Sequence, residues 1–245
     1  MLFVYYIDLE KIKGRKIGGI VMSESYKDES LYLEKKKSIS VNTTRSYLVM
    51  KRFIDVIGSL SGLILLSVLF LIVAILIKLE DPRGKVFFKQ LRVGKNGEEF
   101  YIYKFRSMAS DAEERLNELL ALNEVDGAMF KMKEDPRVTK VGKFIRKTSI
   151  DELPQLINVL KGEMSLVGPR PPLPREVELY SNYDKQRLFV TPGCTGVWQI
   201  SGRSNLGFAE MVELDLTYIK TRTVLLDLKI LLKTVLVLFG SKNAY

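Results

Sequence analysis

A long apolar run in the first third of the chain constrains its fold more than any other feature. Residues 53–77 are twenty-five positions with one charged side chain, Asp55, and eighteen large aliphatic or aromatic side chains. A helix needs about 20 consecutive apolar residues to cross the hydrocarbon core of a bilayer. The run therefore predicts a membrane helix. The alternative is the buried helix of a soluble core, but such a helix seldom stays apolar on all sides.

Basic residues stand on both sides of this run. Arg45, Lys51 and Arg52 precede it, and six Lys or Arg residues follow it between positions 78 and 95. Because Lys and Arg beside membrane segments favour the cytoplasmic side, a straight span would place one cluster on the disfavoured side. The flanks therefore favour a re-entrant helix, which enters, bends and returns, over a spanning one. The bend is expected at one of the small residues in the run: Gly58, Ser61, Gly62 or Ser67, whose hydroxyl can bond to a preceding carbonyl.

The composition limits the chemistry that the chain can perform. It contains no histidine and one cysteine, Cys194. This excludes acid/base catalysis by histidine and any internal cysteine pair, and leaves the chemistry to carboxylates, lysines and arginines. The net charge of +9 indicates an acidic partner, for which nucleic acid, anionic lipid and a phosphorylated substrate all qualify.

Beyond the apolar run, the patterns predict a mainly α-helical domain with one small β-hairpin. Residues 86–90 and 100–105 flank Lys95-Asn96-Gly97, which is typical of a hairpin turn. Caps and apolar spacing predict six helices, at residues 110–123, 138–146, 152–160, 174–180, 208–220 and 225–239. The last helix carries Asp227, Lys229 and Lys233 in an apolar run, so it is expected to lie at the membrane surface or pack on it rather than cross.

These patterns divide the chain into three parts. Residues 1–50 are an N-terminal extension whose Ser/Thr-rich end, 38–46, is typical of a linker, and no role is assigned to them. Residues 51–80 hold the membrane helix. Residues 81–245 form the domain in which the chemistry is expected.

An acidic pair, Asp151 and Glu152, is followed closely by Pro154. One interpretation is structural, because Ser149 and Glu152 have the spacing of a capping box at a helix start. Pro154 would then come too late in the helix and cost a backbone bond, whereas with Asp151 as the N-cap its missing N–H is harmless. Asp151 is therefore expected at the mouth of a helix.

Cations are expected around this pair. In Gly168-Pro169-Arg170-Pro171, Arg170 lies between two prolines of fixed φ, which presets the direction of a guanidinium and suits a phosphate. Together with Arg146, Lys147 and the helix N-terminus, Arg170 would keep a carboxylate ionised and attract phosphate oxygens. The alternative for Arg170 is an ordinary surface arginine in a turn, and the same alternative holds for Lys104 and Arg106.

Six motifs in order carry a resemblance to a known family: residues 51–55 (KRFID), 104–108 (KFRSM), 135–137 (DPR), 146–155, 162–171 and 192–199. Jointly they resemble the bacterial sugar transferase family, the monotopic phosphoglycosyl transferases that start glycan assembly on polyprenol phosphate. The resemblance implies a re-entrant membrane helix, a cytosolic catalytic domain over residues 81–245 and interfacial amphipathic helices. Family members often carry Ser-Pro at the helix break, where this chain has Ser67-Val68.

The resemblance also implies roles for individual residues. Asp151 would attack the sugar-linked phosphorus of a UDP-sugar, release UMP and carry the sugar phosphate until undecaprenyl phosphate, a polyprenol phosphate, collects it. Glu152 would assist, and both carboxylates would hold Mg²⁺. Arg170 would clamp phosphate, and Arg146 would support the acidic pair. Lys104 and Arg106 are further candidates for substrate binding, and Glu163 is a lesser candidate for the site.

The implied partners are a UDP-sugar, polyprenol phosphate and the bilayer, with the catalytic domain on the cytoplasmic face of the inner membrane. Nucleic acid is not among them, and a homo-oligomer is left open. Two other functions compete: a basic membrane-tethered scaffold of a glycan-synthesis complex, and a lipid-diphosphate hydrolase. The segment at residues 195–202 is similar to hexose-transferring relatives, which favours galactose or glucose over N-acetylated sugars.

Overall fold

In the computed structural model, the apolar run forms two helices that meet at a bend of 59°. Helix α1 covers Arg45–Leu65 and helix α2 covers Ser67–Glu80, with Leu66 between them. In the described part of the chain no single helix is long and apolar enough to cross a membrane, and this pair qualifies only when both helices are taken together. The bend lies beside Ser67. The hydroxyl that bonds back is that of Ser59 in α1, which donates to the carbonyls of Asp55 (2.5 Å) and Val56 (3.2 Å).

The structure describes residues 38–112, 114–115, 132, 135–201 and 207–240. The helix expected at 110–123 and most of the N-terminal extension therefore lie outside the described residues. The expected linker at 38–46 is different where it is described, because a compact unit already begins at Ile39. Ile39 is buried in an apolar core and its N–H donates to Gln186 (2.8 Å). Asn42 donates to the carbonyl of Arg222 (3.1 Å).

The predicted β-hairpin is confirmed. Strands β1 (Phe87–Val93) and β2 (Glu99–Phe105) pair antiparallel. Asn96 and Gly97 have φ of 57° and 86°, the left-handed conformation that tight hairpin turns require and that Asn-Gly tolerates. The hairpin is fastened to α2 by Phe105, whose ring centroid lies 5.1 Å from that of Phe70.

The remaining elements confirm a mainly helical domain with small sheets. Four of the predicted helices are observed within about three residues of their expected ends, namely α3 (Lys140–Lys147), α5 (Pro174–Glu178), α7 (Phe208–Thr221) and α8 (Val224–Gly240). The other elements are short: α4 (Leu156–Lys161), α6 (Val197–Ser201), and 3₁₀ helices at Ile150–Gln155 and Asp184–Phe189. Strands β3 (Ser165–Val167) and β4 (Gly193–Thr195) form a parallel pair that was not expected.

Helix α1 turns its polar residues towards the protein and its apolar residues outward. Lys51, Asp55 and Ser59 are buried, and their spacing of four places them on one helix face. Asp55 accepts hydrogen bonds from the Ser165 hydroxyl (2.9 Å) and the Leu166 N–H (2.8 Å) at β3. Large apolar side chains on the other faces of α1 and α2 are exposed, among them Phe53, Ile57, Ile64, Leu65, Val68, Leu71, Ile75 and Leu79. An exposed apolar surface of this extent marks an interaction surface.

A buried polar network joins α1 to α8 through Asp227. The Asp227 carboxylate lies 2.9 Å from the ammonium of Lys51 and accepts hydrogen bonds from the hydroxyls of Tyr218 (2.7 Å) and Tyr47 (3.1 Å). Lys51 also donates to the carbonyl of Val167 (2.9 Å). Asp227 in its apolar run therefore packs α8 onto the protein, while Leu225, Leu228, Leu232 and other leucines and valines of α8 stay exposed.

We expect Asp227→Ala to lower the free energy of unfolding by about 3–5 kcal/mol, because it leaves the Lys51 ammonium buried without its counter-ion. Chemical unfolding in detergent measures this. Lys229→Ala is the matched control, since Lys229 is an exposed residue of the same helix, and it should change stability by less than about 0.5 kcal/mol. Equal losses in the two variants would contradict a central role for the network.

Candidate active site

The acidic pair lies on the 3₁₀ helix Ile150–Gln155 and not at the start of an α-helix. Both predicted helix starts are therefore wrong. Ser149 has a left-handed backbone (φ 57°, ψ 17°) and makes no capping bond with its side chain, and the α-helix begins only at Leu156. Pro154 explains only the first failure, because its missing N–H interrupts an α-helical ladder that starts at Ser149. The 3₁₀ turn at Asp151 is of the short kind that is common ahead of an α-helix.

Asp151 carries a mostly buried carboxylate that has no partner. The residue is 8% exposed. Among the described residues, no side chain forms a hydrogen bond or salt bridge with it. Burial, and secondarily the charge of Glu152, raise its pKa to about 6, against the opposing influence of Lys104, Arg146 and Arg170. Asp151 is therefore surrounded by cations without being neutralised by any of them.

Glu152 is in the opposite situation. Its carboxylate lies 2.7 Å from the Lys104 ammonium and 3.6 Å from the Arg170 guanidinium. Burial alone would raise its pKa, but Lys104 and Arg170 outweigh burial and lower the pKa to about 2. Adjacent carboxylates with divergent pKa values are typical of sites that divide two chemical roles.

Of the five basic residues expected around the acidic pair, the structure brings three to it, while Lys147 is exposed in the last turn of α3. Lys104 and Arg170 contact Glu152 directly. Arg146, in the last turn of α3, is held by a hydrogen bond from its Nε to the Ser107 hydroxyl (2.8 Å). Its positive charge opposes the rise in the pKa of Asp151. Arg106 is placed differently, because its guanidinium binds the carboxylate and carbonyl of Asp81 after α2.

Two glycines position Arg170. A Cβ on Gly168 would lie 2.9 Å from the Gly193 nitrogen, and a Cβ on Gly193 would lie 2.0 Å from the Gly168 nitrogen. The two backbones can therefore cross closely only because both residues lack a side chain. The crossing is closed by hydrogen bonds from the Gly193 N–H to the Pro169 carbonyl (2.8 Å) and from the Gly168 N–H to the Thr195 carbonyl (2.8 Å).

A small, partly open cleft lies beside Glu152 and Arg170. Arg92, Gln155 and Cys194 also line it. Sequence reasoning missed Arg92 and Gln155. The sequence around Arg92 does not indicate that this basic residue, at the end of a hairpin strand, is buried. Its burial depends on the contacts of residues 171–172 with β1.

The two carboxylates, Asp151 and Glu152, fit a magnesium ion whose remaining ligands are water and substrate phosphate. Within the described ranges no group of three or more His, Cys, Asp or Glu side chains could hold a metal. Mg²⁺, however, is often held by one or two carboxylates together with water and the phosphates of a substrate. Asp151 is the better ligand, because Lys104 already occupies Glu152.

Comparison with known proteins identifies the family. A family model described as bacterial sugar transferase matches residues 46–241. The chain belongs to the bacterial sugar transferase family. All six motifs and the whole acidic site lie within the matched residues.

Three relatives illustrate the similarity to other bacterial sugar transferases. The galactosyl transferase CpsE of Streptococcus agalactiae is 51% identical over 200 residues, which is 80% of this chain and 44% of CpsE. The undecaprenyl-phosphate galactose phosphotransferase of Salmonella typhimurium is 41% identical over 228 residues, 91% of this chain and 47% of the relative. The exopolysaccharide production protein ExoY of Rhizobium meliloti is 42% identical over 199 residues, 80% of this chain and 88% of ExoY. This chain thus spans about half the length of the first two relatives.

We expect Asp151→Asn to stabilise the protein by about 1–3 kcal/mol at pH 8. The folded pKa of Asp151 is raised, so the folded state holds its proton more tightly, and its ionisation lowers stability as the pH rises from about 4 to 6. The gain should disappear below pH 4. Unfolding curves at pH 4 and pH 8 measure it.

Glu152→Gln is the matched control, and its effect should have the opposite sign. The pKa of Glu152 is lowered, so its charge contributes stability at pH 8. Removing the charge also leaves Lys104 without a counter-ion. A loss of stability in both variants would contradict the unequal roles assigned to the two carboxylates.

Proposed function

We propose that this chain transfers a sugar 1-phosphate from a UDP-sugar to polyprenol phosphate through a covalent intermediate on Asp151. The observation that carries the proposal is the carboxylate of Asp151, mostly buried, without a bonding partner and faced by Lys104, Arg146 and Arg170. A stabilising ion pair would occupy the carboxylate. A nucleophile has to keep its oxygen available to the substrate.

In the first step an Asp151 oxygen attacks the phosphorus that carries the sugar. A bond forms between that oxygen and phosphorus, the phosphoanhydride bond breaks, and its electron pair leaves with UMP. The nucleophile and the diphosphate are both anions, so the attack needs neighbouring positive charge to proceed. Arg170 and Lys104, which contact Glu152, supply this positive charge. Arg146 supplies more of it from α3.

In the second step a phosphate oxygen of polyprenol phosphate attacks the same phosphorus. The bond to Asp151 breaks, the carboxylate is regenerated, and the product is a polyprenyl diphosphate sugar. Dividing the transfer lets both anionic substrates use the same cations in turn. Glu152 stays ionised throughout, because Lys104 and Arg170 lower its pKa to about 2, after the opposing influence of burial. Its charge holds those two cations beside the reacting phosphate.

Mg²⁺, held by Asp151 and Glu152 together with the diphosphate, would supply further charge neutralisation when bound. The chain's own contribution is the fixed placement of the carboxylates. Asp151 has a free oxygen for the metal or for phosphorus, whereas Glu152 is oriented by Lys104 at 2.7 Å.

The outer surface of α1 and α2 supports a membrane position for this site. Its exposed side chains are aliphatic and aromatic, and the face of α1 turned to the protein is polar. Together with basic residues on both flanks, the bend of 59° supports a re-entrant hairpin that enters from the cytoplasmic face and returns to it. The substrate with the hydrocarbon tail would then reach the cleft from the bilayer, and the nucleotide sugar would reach it from the cytoplasm.

The sugar is proposed to be a hexose. The names of two relatives, the CpsE galactosyl transferase and the Salmonella galactose phosphotransferase, support galactose as the first sugar to test.

We expect purified protein with UDP-galactose and Mg²⁺, without lipid acceptor, to release about one UMP per active site, as a burst that leaves the sugar phosphate on the enzyme. Intact-protein mass spectrometry should detect the added sugar phosphate, and peptide mapping should locate it on Asp151. Asp151→Asn should abolish both signals. Asp184→Asn, the same change at a 3₁₀ helix outside the site, should retain them.

The products separate the competing functions. A scaffold would release nothing, and a lipid-diphosphate hydrolase would release inorganic phosphate or lipid phosphate instead of UMP. A normal burst from Asp151→Asn would contradict the nucleophile.

We expect single cysteines introduced at Thr44 and Arg83, before α1 and after α2, to react with an impermeant maleimide from the same side of oriented vesicles. A cysteine at Leu65, which is 80% exposed beside the bend, should react only after detergent is added. The native Cys194 is a weak background, because burial raises the pKa of its thiol. Labelling of Thr44→Cys and Arg83→Cys from opposite sides would contradict re-entrance and indicate a span.

A further inference from the structure

Arg92, at the end of β1, is a buried arginine that has no counter-ion. It is 7% exposed. Its Nη1 donates to the carbonyl of Pro171 (3.0 Å) and its Nη2 to the Oε1 of Gln90 (2.7 Å), while its Nε has no partner. Both acceptors are neutral. Among the described residues no carboxylate lies within salt-bridge distance of this guanidinium.

A buried charge without a counter-ion is costly, and here a second cation adds to the cost. Burial, followed by the repulsion of Arg170, lowers the pKa of Arg92 to about 10. Arg92 and Arg170 line the same cleft as Glu152, and Lys104 already binds Glu152. Glu176 and Glu152 partly offset the repulsion by Arg170. The charged side chains that line the cleft are nevertheless two arginines and one carboxylate, so an anion bound there would balance the remaining positive charge.

The geometry points to Arg92 as a second phosphate-binding guanidinium, which shares with Arg170 a phosphate group that enters this cleft. The identity of the phosphate, in the UDP-sugar or in polyprenol phosphate, rests on the proposed function. Arg92 is distinct from the cations predicted from the motifs, since it lies in β1, outside all six motifs, and lines the cleft beside Arg170.

Two contacts fix Arg92 and Arg170 relative to each other. The Val93 N–H donates to the Pro172 carbonyl (2.9 Å), and Arg92 itself binds the Pro171 carbonyl. The segment that carries Arg170 is therefore attached to the end of β1 on one side of Arg170 and to the glycine crossing on the other. A guanidinium has five N–H donors, and Arg92 uses one on Pro171 and one on Gln90. It therefore retains donors for phosphate oxygens after it has bound the protein.

The test uses inorganic pyrophosphate as the probe, and its affinity is measured by titration calorimetry in detergent. Arg92→Gln should weaken binding roughly tenfold or more, the effect of losing one charge-assisted contact. Arg222→Gln is the matched control, because Arg222 is also buried and donates to a backbone carbonyl, that of Asn42, away from the cleft. It should bind pyrophosphate like the unchanged protein.

A double-mutant cycle with Arg170→Ala separates binding from positioning. If Arg92 binds phosphate itself, Arg92→Gln weakens pyrophosphate binding in the Arg170→Ala background as well. If Arg92 only positions Arg170, the second substitution has no further effect, and the inference is overturned. Should Arg92→Gln fail to fold, Arg92→Lys decides. Lysine keeps the charge but loses the fork, so severalfold weaker binding supports the inference and unchanged binding overturns it.

The two half-reactions distinguish the source of the phosphate. A smaller UMP burst in Arg92→Gln assigns the contact to the sugar nucleotide, and a normal burst with slowed discharge by polyprenol phosphate assigns it to the lipid. If the unchanged protein gives no burst with any UDP-sugar, the proposed function fails, but the pyrophosphate cycle still tests Arg92.

Discussion

The ion pair between Lys51 and Asp227 is the contact on which the arrangement of the domain depends. Helix α1 exposes its apolar side chains, so hydrophobic burial cannot attach that surface to the protein in water. Its attachment comes from the polar face instead, where Lys51 binds Asp227 on α8 and Asp55 binds the backbone of β3. Polar contacts have fixed distances and directions, which fixes the rotation of α1 about its axis. The outward face of α1 and α2 is thereby defined.

The same contacts connect α1 to the cleft beside Glu152. Asp55 binds Leu166, and only Val167 separates Leu166 from Gly168, where the backbone crossing begins that positions Arg170. The crossing leaves no room for a Cβ at Gly168 or Gly193, so a larger residue at either position would force the backbones apart. The connection from the apolar surface to Arg170 therefore runs through a short stretch of hydrogen-bonded backbone.

Local chemistry made parts of the structure predictable. The Asn96-Gly97 turn depends on neighbouring residues, and the predicted hairpin matches the observed one. The start of the acidic segment was predicted wrongly, because the choice between a capping box and an N-cap assumed an α-helix where the chain forms a 3₁₀ turn. The pairing of β3 with β4 was missed for another reason: three-residue strands show no periodicity, and contacts distant in sequence hold them together.

The sequence by itself determined the composition of the site and the presence of an apolar surface. Without histidine or a cysteine pair, and with the motifs in this order, the sequence indicated carboxylates and cations as the reactive groups. The tertiary structure alone decided which carboxylate is free. Asp151 and Glu152 are neighbours of similar acidity in the sequence, but Lys104, 48 residues away, binds one and leaves the other buried without a partner. Burial and charge pairing depend on three-dimensional distance, so the division of roles between two adjacent acids appears only in the fold.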